Sequence, residues 1–211
     1  MRKVSFALTA CGRPDLLERT MDSFITHNTY PIEKYYITED STIIGLNDKL
    51  IEKYSALNIE WIINETRMGQ IRSIDNMYAK IDTEYIFHCE DDWLFTQDGF
   101  IEKSIDILDN NSNIMMVWLR AHNDTNGHPV TYFNEKFDIV THNYLIMWHG
   151  FSFNPALRRL SDYKLVAPYE SIGHESDLSI KYKELGFSTA ILKDKHVEHI
   201  GWNRHMNDIN Q

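Results

Sequence analysis

Short apolar runs alternate with longer stretches whose apolar positions recur at helical spacing, and this pattern runs through the first half of the chain. Lys3–Thr9 (KVSFALT) predicts a strand that stops at Cys11-Gly12-Arg13-Pro14. Pro14 suits the first turn of a helix, with Asp15 and Glu18 near its positive end, and Leu17, Met21, Phe24 and Ile25 supply an apolar stripe. Tyr35–Thr38 and Ile59–Ile63 predict further strands, with helices over Leu46–Tyr54 and Gln70–Ile81. Tyr85–Cys89 (YIFHC) predicts a fourth strand ending in Glu90-Asp91-Asp92; Gly99–Asn110 reads as a helix and Ile114–Leu119 as a buried strand. Strands separated by helices predict right-handed βαβ units: an α/β, Rossmann-like, mainly parallel sheet with helices on both faces.

The pattern then changes. Arg120–Phe133 carries Asn, Asp, Gly127 and Pro129 and reads as a surface loop. Phe137–Val140 and Tyr144–Trp148 flank His142-Asn143 like a small antiparallel hairpin. A last helix is expected over Ser176–Leu185, ended by Gly186 in a C-cap role, then a final strand at Thr189–Leu192 and a polar, histidine-bearing tail from Lys193. The expectation is a single domain over 1–211, with a nucleotide-binding half at about 1–119 and an acceptor half at about 120–211.

Composition narrows the function classes. Lys and Arg number 21 against 31 Asp and Glu, a net charge of −10, which leaves no basic patch for nucleic acid. A phosphate-bearing ligand would need another source of positive charge. No apolar run reaches the length of a transmembrane span, and the N-terminus reads as a strand rather than a signal peptide. Two cysteines, Cys11 and Cys89, are too few for a disulfide framework, so a cytoplasmic location with both thiols reduced and packed is expected.

In such sheets ligands bind beyond the carboxyl ends of the strands. Thr9 to Arg13, Glu39-Asp40-Ser41 and Glu90-Asp91-Asp92 stand there. Neither G-x-G-x-x-G nor G-x-x-x-x-G-K-[ST] is present, which removes the two glycine-rich phosphate cradles. Carboxylates without glycines bind a diphosphate through a divalent cation. In an extended segment Glu90 and Asp92 point the same way, toward one ligand; the alternative is that Asp91 and Asp92 cap a turn.

YIFHCEDDW resembles the D-x-D region of GT-A-fold, family-2-like glycosyltransferases, here as Glu-Asp-Asp. VSFALTACGRPDLLERTMDSF is similar to that family's first strand and helix. GFSFNPALRRLSDYK and HESDLSIKYKELGF resemble its acceptor half, and KHVEHIGW its C-terminal metal-histidine segment. The resemblance implies a GT-A-like fold with a small antiparallel element in the second half. It also implies an inverting transferase that moves a hexosyl or deoxyhexosyl group from a nucleoside diphosphate sugar donor to a hydroxyl of a glycan-type acceptor.

Residue by residue, the resemblance implies Asp92 as a metal ligand, Glu90 near the ribose or the metal, and Asp91 within the donor site. Asp40 and Thr9 fall where the family contacts the donor base, and His199 where it supplies a histidine to the metal, with His196 the alternative. His205 completes a run that would otherwise look like a zinc cluster. Imidazole with carboxylates and phosphate oxygens suits Mn2+, with Mg2+ the alternative. Arg13 is either a donor-site residue or a solvated charge. Arg72 stands nearest the family's Arg-Asn position, or pairs with Asp75 three residues on. Glu175 falls on the family's catalytic acid and is the expected general base, with His174 in place of a second acid; the alternatives are a dipole-favoured helix charge at Glu175, or Asp177 as the base. Trp118, Trp148, Phe151 and Phe153 are either core or an acceptor platform. Two other functions remain open: a nucleotidyltransferase on a similar sheet, and a nucleotide-sugar or glycan-binding module without turnover.

Overall fold

The computed structural model describes residues 1–142 and 148–204. Eleven strands and six helices follow one another among these residues. The first half contributes β1 (Val4–Ala10), α1 (Pro14–His27), β2 (Lys34–Glu39), α2 (Asp48–Lys53), β3 (Ile59–Ile63), α3 (Gln70–Tyr78), β4 (Tyr85–Glu90), β5 (Trp93–Phe95), α4 (Phe100–Asn110) and β6 (Ile114–Trp118). The second half adds β7 (Val130–Tyr132), β8 (Phe137–Val140), β9 (Ala156–Arg159), α5 (Leu160–Lys164), α6 (Glu175–Glu184), β10 (Ser188–Leu192) and β11 (Val197–His199), with a 3-10 turn at Tyr169–Ser171.

Nine strands form one mixed sheet in the order β3-β2-β1-β4-β9-β6-β10-β8-β7. β3, β2, β1 and β4 are parallel; β9 runs antiparallel to both β4 and β6, and β10 returns parallel to β6. Every residue of β1 is buried, as expected for a strand covered on both faces. Alternate side chains enter two apolar clusters. Phe6 and Phe87 join Phe24, Phe95 and Phe100 on one face, while Ala7 and Ile86 join Ile74, Tyr78, Phe151 and Tyr169 on the other. Each fully buried phenylalanine contributes about 1.5–3 kcal/mol relative to exposure.

The first half follows its periodicity closely, although Ile25 is exposed and Leu16 takes its place inside. The second half departs from expectation. Arg120–Phe133 is not simply a surface loop, because Arg120, Thr125 and His128 are buried and β7 forms the sheet edge. β8 pairs with β7 and β10; the expected partner run at Tyr144–Met147 lies outside the described residues, as does His205. β9 was hidden because Ala156-Leu157-Arg158-Arg159 looks amphipathic. Thr189–Leu192 is not the final strand, since β11 pairs antiparallel with β5 in a separate two-stranded sheet that sets His199 opposite Trp93. Among the described residues no helix is long and apolar enough to cross a membrane.

Candidate functional site

The carboxyl ends of β1, β2 and β4 open into a cleft of about 350 Å3, a size typical of small-molecule sites. Pairing register aligns Thr38, Thr9 and Glu90 across the three strands, and all three line the cleft. Thr38 is fully buried and its Oγ1 has no hydrogen-bond partner, an expensive state that a ligand group would relieve. Asp40 lines the cleft and also shapes it. Its Oδ1 accepts from Asn64 Nδ2 and the Met68 amide, both at 2.7 Å, and its Oδ2 from the Gly69 amide at 2.8 Å. The 64–69 segment, which brings Arg67 to the cleft, is thereby tied down beside Gln70 and Ser73. Glu39 similarly pins the turn after β1, accepting from the Gly12 and Ser41 amides at 2.9 and 2.8 Å. Gly12 has φ +73, a conformation that favours glycine there.

Arg13, at the start of α1, grips the acidic triplet. Its guanidinium engages both oxygens of Asp91 and reaches Asp92 Oδ2 at 2.8 Å. Asp91 is buried, and burial pushes its carboxyl up to about 7 against the opposing pull of Arg13. Asp92 behaves in the opposite way: burial would raise it, but His199 and Arg13 together hold it below the usual carboxylate range. His199 Nε2 stands 3.3 Å from the same Asp92 oxygen, with its ring between those of Trp93 and Trp202. Glu90 turns elsewhere, accepting from Gln70 Nε2 at 2.8 Å and Trp93 Nε1 at 3.2 Å. Burial, with Asp92 and Glu175 nearby, pushes its carboxyl up to about 7.

A tightly bound Mg2+ or Mn2+ ion holds adjacent ligands roughly 3 Å apart, given bonds of about 2.1 Å. The Asp92–His199 pair fits that spacing, and such ions take one or two protein carboxylates with the rest from phosphate and water. Both Glu90 oxygens are instead engaged by Gln70 and Trp93. Among the described residues no group of three or more His, Cys, Asp and Glu side chains could hold a metal, so any ion here relies on its ligand's oxygens.

Glu175 opens α6 and is not among the cleft-lining residues. Its Oε1 accepts from the Phe153 amide at 2.5 Å, one residue from Asn154, which does line the cleft. Burial raises its carboxyl, opposed by the Phe153 amide, Ser152, Arg158 and Arg120. Asp177 is occupied at the helix start, accepting from the His174 amide at 3.0 Å, and His174 is exposed.

Several expectations need correction. Arg72 is outside the cleft, exposed and paired with Glu170, because it lies on the solvent side of α3. It does not pair with Asp75, whose carboxylate holds Tyr163 and the Tyr169 and Glu170 amides. Arg13 is a buried partner of carboxylates, not a solvated charge. His196 is fully buried beneath α4 and does not line the cleft. Trp118, Phe151 and Phe153 are core, and the cleft aromatics are Trp93 and the exposed Trp202. Nor is the cleft short of cations, since Arg13, Arg67 and Arg120 all line it. Cys11 lines the cleft as a free thiol whose ionisation burial opposes, and Cys89 is buried.

Sequence reasoning missed Gly201, where a Cβ would stand 2.7 Å from Asp92 Cβ and 2.8 Å from its Cγ, with Oδ2 closer still. The signal was present in EHIGW as a glycine two residues beyond the histidine. Arg120 was also missed; it pairs with Asp124 at 2.6 Å and lies over Trp93.

No family model matches the chain, and no curated protein matches it. Solved structures do. S. aureus TarS 1–349 superposes with a TM-score of 0.66 at 17% identity, over 92% of this chain and 59% of that one. The chain has the GT-A glycosyltransferase fold. The complex of TarS 1–349 with UDP-GlcNAc superposes with a TM-score of 0.67 at 15% identity, covering 97% and 62%. The mannosyltransferase PcManGT from Pyrobaculum calidifontis, in complex with GDP-Man and Mn2+, gives 0.66 at 10% identity, covering 92% and 55%. The chain thus spans about three-fifths of the length of these GT-A structures.

Proposed function

We propose that the protein is a metal-dependent, inverting glycosyltransferase that moves a sugar from a nucleoside diphosphate donor to a hydroxyl of a glycan-type acceptor. The observation that carries this reading is one cleft, at the carboxyl ends of β1, β2 and β4, that gathers Thr9, Thr38, Asp40, Arg13 and the Asp92–His199 pair. TarS with UDP-GlcNAc and PcManGT with GDP-Man and Mn2+ support the donor class and the metal. Thr9 and Thr38 contact the base or ribose, and Asp40 fixes the 64–69 wall against which the base lies. Arg67 and Arg120 supply positive charge toward the phosphates. Asp92 and His199 hold Mn2+ or Mg2+, which when bound stabilises the departing diphosphate. Glu175 takes the acceptor proton as the hydroxyl attacks the anomeric carbon.

One observation favours a second reading. Glu175 lies just beyond the cleft lining, which suits a nucleotide-sugar-binding module without turnover. A panel of nucleotide sugars with Mn2+ and candidate glycan acceptors separates the two. Release of nucleoside diphosphate that disappears in Glu175→Gln supports the transferase. Metal-dependent donor binding with no release from any donor favours the module.

A further inference from the structure

A weakly compensated charge lies outside the cleft. Arg158, on β9 in the middle of the sheet, is buried, and its Nε and Nη1 have no hydrogen-bond partner. Among the described residues no carboxylate stands within ion-pair distance of it. Its neighbours are uncharged: the Phe151 ring, 5.3 Å from the guanidinium carbon, Tyr78 from α3, His88 from β4, Tyr169 from the 3-10 turn and Tyr182 from α6. A buried guanidinium in that state opposes folding unless another interaction offsets it.

Its hydrogen bond to the backbone shows where the offset lies. Arg158 Nη2 donates to the Ser152 carbonyl at 2.9 Å, while Glu175 Oε1 accepts from the Phe153 amide at 2.5 Å. The Ser152 carbonyl and the Phe153 amide belong to a single peptide group, which is trans, so its oxygen and hydrogen point in opposite directions. A cation therefore grips one end of a peptide dipole and an anion the other. In a low-dielectric interior each bond polarises the next and strengthens it.

We propose that Arg158 is a positioning residue that holds Glu175 ionised and aimed by a peptide-bridged ion pair through Ser152-Phe153. This rests on the reading of Glu175 as the base. The other charged groups that bear on Glu175 are Glu90 from β4, which disfavours its ionised form, and Arg120 beyond β6, which favours it. The bridge offsets Glu90 and keeps this half-buried carboxylate in its proton-accepting form.

The test is the pH–rate profile of transfer in wild type, Arg158→Met, Arg158→Lys and Glu175→Gln, alone and combined, with melting temperatures for each. Arg158→Met removes unpartnered donors at similar volume but also the Ser152 hydrogen bond, so the melting temperatures separate a loss of fold from a loss of positioning. The expected result is an acid limb moved up by about one pH unit, so that the rate falls by up to about tenfold on that limb and little on the plateau above it. Arg158→Lys should restore the limb, and Arg158→Met should add nothing in the Glu175→Gln background. Loss of rate with a lowered melting temperature and an unmoved limb would overturn the proposal, as would an unchanged profile while Glu175→Gln is inactive. Full activity of Glu175→Gln would instead overturn the base assignment itself.

Discussion

Gly201→Ala tests the placement of Asp92 with a single methyl group. The added carbon would sit 2.7 Å from Asp92 Cβ and 2.8 Å from Cγ, against ordinary carbon contacts of about 3.5–4.0 Å. Neither side can yield freely. The Ile200 amide donates to the Asp92 carbonyl at 2.9 Å, and the Arg204 amide to the Gly201 carbonyl at 2.8 Å, so the backbone is fixed on both flanks. The Asp92 carboxylate is held by Arg13 at 2.8 Å and faces His199 at 3.3 Å. Overpacking costs about 1–3 kcal/mol. Rotating the carboxylate away forfeits a charged hydrogen bond worth about 1.5–3 kcal/mol. The expected loss is about 2–5 kcal/mol in urea denaturation at unchanged m-value, accompanied by weaker Mn2+-dependent nucleotide binding. A variant within about 0.5 kcal/mol of wild type, with binding intact, would refute the reasoning.

Four further outcomes follow from the same geometry. Arg13→Met leaves the buried Asp91 carboxylate unpaired and should cost about 3–5 kcal/mol, most of it recovered on adding Asp91→Leu, as read from denaturation midpoints. Glu90 has a folded pKa of about 7, above its ordinary value, so its contribution to stability is complete below about pH 4.5 and is lost as pH rises through 7. Glu90→Gln cannot ionise, and its stability relative to wild type should therefore rise by about 1–3 kcal/mol between pH 5 and pH 8; a difference independent of pH would contradict the assignment. Asp40→Ala removes three hydrogen bonds that hold the 64–69 segment and should cost about 2 kcal/mol or more, with faster amide exchange at Met68 and Gly69. Arg72→Ala should leave nucleotide affinity within about twofold, whereas Arg67→Ala should weaken it about tenfold in calorimetric titration, equivalent to about 1.4 kcal/mol.

Much of the first half was legible because its strands are largely buried and its helices carry apolar stripes, so periodicity alone locates them. Thr9, Asp40 and the Glu90–Asp92 triplet could be placed at strand ends for the same reason. The second half resisted for a different cause. Arg158 and Arg120 are buried cations, one in a segment that reads as amphipathic and one at the start of a polar loop, and burial of a charge depends on tertiary partners that no local pattern displays. Arg13 and Arg72 illustrate the limit most directly. Both are arginines near helix starts, yet one meets Asp91 and Asp92 across 78 and 79 residues of chain while the other meets Glu170 in solvent. Gly201 showed only as a glycine near His199, since its requirement is a close approach by Asp92 rather than an unusual backbone angle.

Calorimetric titration of UDP and GDP into the protein, with and without Mn2+, tests most directly whether this cleft is a nucleoside diphosphate site. The account predicts that one of the two nucleotides binds with Mn2+ at micromolar affinity. Binding should fall by at least about tenfold, or 1.4 kcal/mol, when the metal is omitted or Asp92 is replaced by alanine. Failure of both nucleotides to bind at millimolar concentration, or binding indifferent to both Mn2+ and Asp92→Ala, would contradict it.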